Sequence, residues 1–237
     1  MRERVFRFKQ FAVRHERAAM KLGTDGVLLG AWAEVASARR VLDVGTGCGV
    51  IALMVAQRNR QAIIDAIDID VDGVEESTQN FAASPWADRL RAVVADVNDY
   101  APAERYDHIV SNPPYFENGV LPPEAARRDA RHTTTLTYDN LLYNARRLLT
   151  TGGMLSIITP ADAHGSVVTA AAFHSMRIVR LTQVVPVAGH PAKRLLWQLV
   201  AGSNGGDIAT DTFVIESEPG VFTDEYRRLT ADFYLKF

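Results

Sequence analysis

The most chemically suggestive stretch of this sequence is SNPPYF, at residues 111–116. It follows YDHIV, which predicts a buried strand, so the stretch begins where that strand ends. The two prolines stiffen the backbone. Because proline has no N–H to donate, strand pairing ends here, and the proline carbonyls lie outside the sheet ladder. Asn112 adds a carboxamide, and Tyr115 and Phe116 add two aromatic faces. This combination suits the binding of a flat, polar group.

An amino group conjugated to a purine ring is such a target, and it is a poor nucleophile because its lone pair is delocalised. If the Asn112 carboxamide oxygen and the Pro113 carbonyl accept its two N–H groups in tetrahedral geometry, the lone pair localises on nitrogen. Stacking on Tyr115 or Phe116 would hold the ring. Catalysis would then depend on positioning and directed polarity rather than on a strong base. Alone, NPPY is also a common turn sequence, so this interpretation depends on the surrounding elements.

A glycine-rich segment, LDVGTGCGVIAL, lies between the first predicted strand and the first predicted helix. Gly45, Gly47 and Gly49 form a GxGxG pattern preceded by Asp43, which differs from the GxGxxG of dinucleotide-binding folds. Glycine allows a tight turn on which a ligand can lie directly against the backbone. An acid two residues ahead of the loop suits a cationic ligand, such as the ammonium end of S-adenosylmethionine (SAM), better than a pyrophosphate.

Three aspartates end three consecutive predicted strands: Asp43, Asp68 and Asp96. An acid in the position of Asp68 can accept both hydroxyls of a ribose. Asp96 can accept a hydrogen bond from an exocyclic amino group. Any one of them could instead cap the following helix. Three in register behind a glycine loop predict a ligand site.

These residues require a sheet that brings strand ends together. Strands are predicted at 41–45, 62–70, 91–96, 106–112 and 152–160, and helices at 50–59, 73–84 and 138–150. This alternation predicts an α/β fold with an open, mostly parallel sheet and helices on both faces. Three later strands, at 177–187, 194–202 and 212–217, are expected to close the sheet in antiparallel fashion. We expect one domain over 1–237: an extension (1–40) over the ligand site, a βαβ core (41–175) and the closing strands (176–237).

Composition sets the remaining limits. The chain has 237 residues, 47% of them hydrophobic, which is enough for a sizeable core. Its net charge of −2 means that any nucleic-acid surface must be a local patch. The single cysteine, Cys48, and the lack of a membrane-spanning or signal-peptide pattern favour a cytoplasmic protein. None of the six histidines pairs at metal-ligand spacing, so no metal is expected.

The motifs resemble those of class I SAM-dependent amino-group methyltransferases, in which DVGTGCG matches the first motif and NPPY the catalytic motif. Within that superfamily the chain is similar over nearly its whole length to the tRNA1(Val) (adenine-37-N6)-methyltransferase family. The matching segments are FKQFAVRHERAAMKLGTDGVLLGAWA (8–33), LDVGTGCGVIALMVAQR (42–58), SPWADR (84–89), IVSNPPYF (109–116), ARHTTTL (130–136) and FYL (233–235). The first and the fourth are the most specific.

The resemblance implies a seven-stranded Rossmann-like sheet, SAM as methyl donor and the adenine beside the anticodon as target. By position, it assigns catalysis to Asn112, Pro113, Pro114 and Tyr115. It assigns cofactor binding to Lys21, Thr24, Asp43, Gly45, Thr46, Gly47, Gly49, Asp68, Ile69, Asp96, Val97 and Asn112. Two departures are minor: Cys48 replaces other small residues, and His132 lies where an aromatic residue is also found, which leaves any proton-transfer role there open.

Binding of tRNA, through its anticodon stem-loop, needs a basic surface. Up to Lys21 the chain has seven cations against two acids, a net charge of +5. The second patch is the segment after NPPYF. Its expected substrate-binding residues, with the two aromatics, are Tyr115, Phe116, Arg127, Arg128, Arg131 and His132. Lys193 and Arg194 are a third option, although they could equally guard a strand edge. No membrane partner is expected, and the chain is expected to be a monomer or weak homodimer.

Other functions stay open at this point. An NPPY-type enzyme can act on ribosomal RNA guanine, DNA adenine or a protein glutamine, but the glutamine enzymes usually carry a helical domain before the glycine loop. An NAD-dependent dehydrogenase is disfavoured by the missing GxGxxG. A non-catalytic RNA-binding module is disfavoured by the intact NPPY and acids.

Overall fold

A computed structural model describes residues 5–19, 22–114, 136–202 and 206–237. Its strands are β1 (Val5–Arg7), β2 (Ala12–Arg14), β3 (Arg40–Val44), β4 (Ile63–Asp68), β5 (Leu90–Val94), β6 (Tyr106–Ser111), β7 (Leu149–Pro160), β8 (Met176–Val187), β9 (Arg194–Ala201), β10 (Ala209–Glu218) and β11 (Val221–Phe222). Its helices, numbered over the same residues, are α1 (Thr24–Trp32), α2 (Val50–Arg58), α3 (Val71–Ala82), α4 (Tyr138–Leu148), α5 (His164–Phe173) and α6 (Asp224–Thr230).

The main sheet has the order β11-β10-β8-β9-β7-β6-β3-β4-β5. Strand β9 runs antiparallel to β7 and β8, β11 runs antiparallel to β10, and the other neighbours are parallel. The predicted fold class is therefore confirmed. The described sheet has nine strands rather than seven, because β10 and β11 extend it beyond β8, and β10 joins β8 in parallel rather than antiparallel fashion.

The central strands are buried because helices cover both faces of the sheet. One apolar cluster contains α1 and α2, and the other contains residues of α4 and α5. Strands β3 and β6 are almost wholly buried, including their polar residues Asp43, His108 and Ser111. The strands predicted within 41–175 and those predicted after 175 share this one sheet. The division of a single domain into extension, core and closing strands remains a prediction.

Helix α1 was not predicted, because its sequence TDGVLLGAW lacks an amphipathic pattern and contains two glycines. Burial explains both features, since its residues from Gly26 to Trp32 are all buried. A Cβ added at Gly30 would lie 2.8 Å from the Met54 sulfur, so only glycine lets α1 approach α2 this closely. Tertiary packing rather than local sequence preference therefore stabilises this helix, which begins at Thr24.

The two ends of the chain pack together. The hairpin of β1 and β2 lies against the C-terminal segment, where Phe8 stacks on Phe11 and on Tyr234. The Lys9 ammonium donates to the carbonyls of Ala231 and Phe237, each at 2.6 Å. This contact fixes the start of the N-terminal segment that leads toward the glycine loop.

Candidate active site

The carboxyl ends of the parallel strands form one edge of the sheet, called here the catalytic edge. In the ladder Asp43 pairs with Ala66, so Gly45 lies at the level of Asp68 on the neighbouring strand. On the other side Val44 pairs with Ser111, so Asn112 follows at the same level as Gly45. The predicted acids, the glycine loop and the first residue of NPPY therefore meet at one place, as ligand sites in open α/β sheets do.

The glycine loop adopts a left-handed backbone that favours glycine. Gly45, Gly47 and Gly49 have φ angles of +73°, +51° and +82°. A Cβ at Gly49 would lie 2.5 Å from the Phe81 ring, so this glycine serves packing. A Cβ at Gly45 would meet nothing within 4 Å among the described residues. Gly45 thus leaves open space beside the backbone where a ligand can approach.

Asp43 is wholly buried beneath this loop. Its Oδ2 accepts hydrogen bonds from the Thr46 hydroxyl at 2.8 Å and from the Ala52 N–H at 3.2 Å. Its Oδ1 is buried and has no hydrogen-bond partner in the described part of the chain. Burial, reinforced by the nearby charge of Asp68, raises the pKa of Asp43 to about 7. The carboxylate therefore both fixes the loop and lacks a cation or donor on its second oxygen.

Thr46 was predicted to bind the cofactor directly. Its hydroxyl is committed to Asp43, so within the described structure it shapes the loop and orients the acid. A direct contact with the cofactor remains a prediction.

Asp68 ends β4 and connects two turns. Its Oδ2 accepts from the Gly47 N–H at 2.8 Å and its Oδ1 from the Asp70 N–H at 2.9 Å. Burial is the largest cause that raises the pKa of Asp68. Each carboxylate oxygen can accept a further hydrogen bond, so the groups of a ribose can still bind. The next side chain, Ile69, is 60% exposed, an apolar surface that a flat ring could cover.

The segment after β5 forms the third side of the site. Asp96 Oδ1 accepts from the backbone and side-chain nitrogens of Asn98, at 2.9 and 2.8 Å. Val97 is buried. Helix α4 supports this turn, because Asn144 donates to the Asn98 side chain at 2.9 Å and Arg147 donates to the Val97 carbonyl at 2.9 Å. The predicted Asp96 and Val97 therefore lie in a turn that is fixed by its own hydrogen bonds and by those from α4.

The target side of the site begins at the end of β6. The Ser111 hydroxyl donates to the Val44 carbonyl at 2.8 Å, which ties the last residue of β6 to β3. Pro113 is buried, and Asn112 and Pro114 are half-buried. The predicted residues Lys21, Tyr115, Phe116, Arg127, Arg128, Arg131 and His132 lie outside the described residues. The described residues contain no group of side chains that could hold a metal ion.

A strap at residues 14–19 follows helix α3 and was not predicted in this form. The buried Glu76 carboxylate accepts the backbone N–H groups of three successive strap residues, at 2.7, 3.1 and 3.0 Å. At one end of the strap, the Asn80 side chain bonds both the N–H and the carbonyl of Arg14, each at 2.9 Å. At the other end, the Ala19 N–H donates to Asp70 at 3.1 Å. The strap therefore runs along α3 toward the ribose side of the site.

The residues that hold the strap also hold the glycine loop. Asn80 donates to the Cys48 carbonyl at 2.8 Å, and Asp70 is bonded through its N–H to Asp68. The i, i+4 spacing of Glu76 and Asn80, polar residues on the buried face of α3, was the available sequence signal. Two polar side chains on a packed helix face need partners, and here the partners are backbone groups 32 to 66 residues away in the sequence.

The fold and the site together define a class I SAM-dependent methyltransferase. The chain matches the model of the methyltransferase small domain over residues 20–187. The open backbone at Gly45 and the unpartnered Asp43 oxygen fit the ammonium end of SAM. When SAM is bound, its sulfonium would supply an electrophilic methyl group.

The chain belongs to the tRNA1(Val) (adenine(37)-N6)-methyltransferase family. It is 46% identical over 235 residues to the member from Aeromonas salmonicida, with 98% of this chain and 97% of the relative covered. It is 45% identical over 230 residues to the member from Phocaeicola vulgatus, with 97% of each covered. The expected family, the methyltransferase activity and the cofactor are thereby confirmed.

Solved structures agree on the fold alone. The crystal structure of a predicted O-methyltransferase from Agrobacterium tumefaciens aligns with a TM-score of 0.71 and 21% identity, over 88% of this chain and 96% of that one. A TehB-like SAM-dependent methyltransferase from Corynebacterium glutamicum aligns with a TM-score of 0.51 and 20% identity, over 76% and 89%.

Proposed function

We propose that the protein methylates the N6 amino group of adenine 37, beside the anticodon of valine tRNA. The names of relatives that are 46% and 45% identical over nearly the whole chain support this substrate. The anticodon stem-loop is then the partner at the site. A cytoplasmic location and a monomer or weak homodimer remain predictions.

The observation that carries the proposal is the register between β3 and β6. It sets Asn112 at the level of Gly45, so a group held by NPPY lies beside a ligand held by the glycine loop. Asp43, Asp68 and Asp96 are the residues that would hold SAM, with Ile69 against its ring. On the other side, Asn112 and Pro113 are placed at the end of a strand whose last residue, Ser111, is fixed to β3.

In the proposed reaction the protein orients the amino nitrogen of the target adenine. The carboxamide oxygen of Asn112 and the carbonyl of Pro113 accept the two hydrogens of the adenine amino group. These acceptors hold the amino group in tetrahedral geometry and localise its lone pair, so they are most effective in the transition state. An anticodon-loop adenine is unpaired, so turning it into the site costs less than extraction from a duplex.

Transfer of a labelled methyl group from SAM tests the proposal. The enzyme is incubated in parallel with a valine tRNA transcript, a ribosomal RNA fragment, an adenine-containing DNA duplex and a protein that carries a candidate glutamine. We expect label in the tRNA alone. Label in another substrate class and none in tRNA would overturn the proposed target while leaving the methyltransferase class intact.

A further inference from the structure

Charge is distributed unevenly along the catalytic edge. The half formed by β3, β4 and β5 carries acids in the turns that follow the strands. Within the described residues these are Asp68, Asp70, Asp72, Asp96 and Asp99. The strap adds the exposed Arg14 and Arg17 to this half, and Arg17 pairs with Asp72. The acids still outnumber these two cations, so we expect this half to repel a polyanion. Any RNA that reaches Asn112 is therefore expected to approach from the opposite half, formed by β7, β8 and β9.

The opposite half contains a short cationic turn between β8 and β9, at residues 188–193, which continues into Arg194. The backbone of the turn is fixed by hydrogen bonds. His190 N–H donates to the Val187 carbonyl at 3.1 Å, and Lys193 N–H donates to the Val184 carbonyl at 2.9 Å. The Lys193 carbonyl in turn accepts from Ala161, the residue that follows β7, at 3.2 Å. The turn therefore has a defined position beside the end of β7.

The exposed side chains of this turn are available to a ligand. His190 and Lys193 are exposed, and the described chain gives the Lys193 ammonium no ion pair. Arg194 Nε bonds to Asp25 Oδ2 at 2.8 Å, which offsets one acid of this region. Cations at a strand end can serve to prevent edge pairing. That explanation is excluded here, because β9 lies inside the sheet between β7 and β8.

The turn is near the target position. Ser111 of β6 pairs with Ile157 of β7, and Pro160 of β7 pairs with Arg194 of β9. Asn112 is level with Ile158, which pairs with Leu196. Lys193 is therefore two strands across and three residues further along, about 14 Å from the start of NPPY at the usual strand spacing and rise per residue. The segment after β7 carries one exposed acid, Asp162, and farther out β10 ends in Glu216 and Glu218. The positive charge of this half is therefore confined to the β8–β9 turn itself.

We propose, on the basis of the function proposed above, that the β8–β9 turn binds the phosphate backbone of the substrate RNA next to the target nucleotide, with Lys193 as the main contact. Phosphate contacts fix the position and orientation of a nucleic acid without reading its sequence. The turn would thus hold the strand while NPPY takes the base.

The test compares Lys193→Glu with Arg60→Glu in the full chain. Arg60 is exposed between α2 and β4, at the edge opposite the catalytic edge, and its replacement changes the net charge equally. Binding of a labelled anticodon stem-loop is measured at several salt concentrations, together with the KM for tRNA and the affinity for S-adenosylhomocysteine. Lys193→Arg is the conservative rescue variant.

We expect Lys193→Glu to weaken RNA binding and raise the KM for tRNA, with unchanged S-adenosylhomocysteine affinity. The slope of log affinity against log salt should fall by about 0.7, or about 2.6-fold in relative affinity between 50 and 200 mM salt. Arg60→Glu and Lys193→Arg should resemble the wild type. Equal behaviour of Lys193→Glu and wild type, or equal loss in Arg60→Glu, would overturn the inference. If the wild-type enzyme itself fails to methylate tRNA, the proposed function is what fails.

Discussion

Asp43 is a carboxylate that the fold places in an apolar interior, with one oxygen committed to the glycine loop and the other without a partner among the described residues. Burial favours its neutral form and raises its pKa to about 7. A bound ammonium group would favour the ionised form instead. The free protein thus has an acid that is poised to release its proton when the cofactor binds.

This gives a prediction for pH. Because the pKa of Asp43 in the ligand-free protein is about 7, affinity for S-adenosylhomocysteine should fall by more than about tenfold between pH 7 and pH 5.5. Isothermal titration calorimetry at several pH values, in buffers of different ionisation enthalpy, measures both the affinity and the proton released. Asp43→Asn should bind more weakly and without this pH dependence.

The raised pKa of Asp43 also determines how the free energy of unfolding of the ligand-free protein changes with pH. Between about pH 4 and pH 7 the folded protein holds the Asp43 proton more tightly than the unfolded chain does. This contribution to the stability of the ligand-free protein is therefore present at low pH and is lost as the pH rises toward 7. An affinity that is flat from pH 5.5 to pH 7 would contradict the role given to Asp43.

Asn112 was expected both in catalysis and at the cofactor, and we propose that its larger contribution is to the chemistry. Its carboxamide is most effective when the target nitrogen becomes tetrahedral, so Asn112→Ala should lower kcat by about 100-fold or more, as loss of a positioned polar group does. S-adenosylhomocysteine affinity, measured by calorimetry, should change little. Near-normal turnover in this variant would show that NPPY is only a turn.

At the scale of elements, the strap of residues 14–19 depends on helix α3. Glu76 accepts three successive backbone N–H groups, and its side chain is buried. Hydrogen bonds to a charged acceptor are stronger than those between neutral groups. We infer that the strap covers the cofactor, because Asn80 and Asp70 connect its ends to the glycine loop and to Asp68.

The variant Glu76→Gln keeps the shape of the side chain and removes its charge. It should weaken S-adenosylhomocysteine binding about tenfold or more and speed hydrogen exchange at the amides of residues 16–18. Arg17→Ala is the matched control in the same strap, because its ion pairs with Asp72 and Glu75 are exposed and contribute little. Faster exchange with unchanged affinity would mean that the strap does not cover the cofactor.

The elements also show what sequence patterns can predict. The strands from β3 to β7 were predicted to within about three residues, because apolar β-branched runs bounded by glycine or proline are strong local signals. Helix α1 was missed because it is buried almost all round and packs against α2, so its sequence lacks the single apolar face by which a helix is recognised. The Glu76 and Asn80 contacts were missed because their backbone partners are distant in the sequence and have no residue-type signal.

At the scale of the whole molecule, the cofactor should act as a stabilising ligand. A ligand that binds only the folded state adds about 2.7 kcal/mol at one hundred times its Kd. For a chain of 237 residues this corresponds to a Tm increase of roughly 5–11 °C. Thermal unfolding with S-adenosylhomocysteine measures it, and NAD at the same concentration should have no effect. A shift with NAD alone would indicate a dinucleotide site.

At the same scale, the proposed RNA contact would separate the two ligands by charge. The acids at the ends of β4 and β5 flank the cofactor side, whereas the cations of the β8–β9 turn lie on the other side of Asn112. With a net charge of −2, the chain would then approach a polyanion by the side that carries Lys193. No helix of the described chain is long and apolar enough to span a membrane.

The most direct test of the account is to identify the methylated nucleoside and its position. A valine tRNA transcript is incubated with enzyme and SAM, digested, and analysed by mass spectrometry of its nucleosides and fragments. We predict N6-methyladenosine at position 37 alone, no product when adenine 37 is replaced by guanine, and none with Asn112→Ala. A methyl group on another nucleotide, or methylation that persists in the transcript lacking adenine 37, would contradict the account.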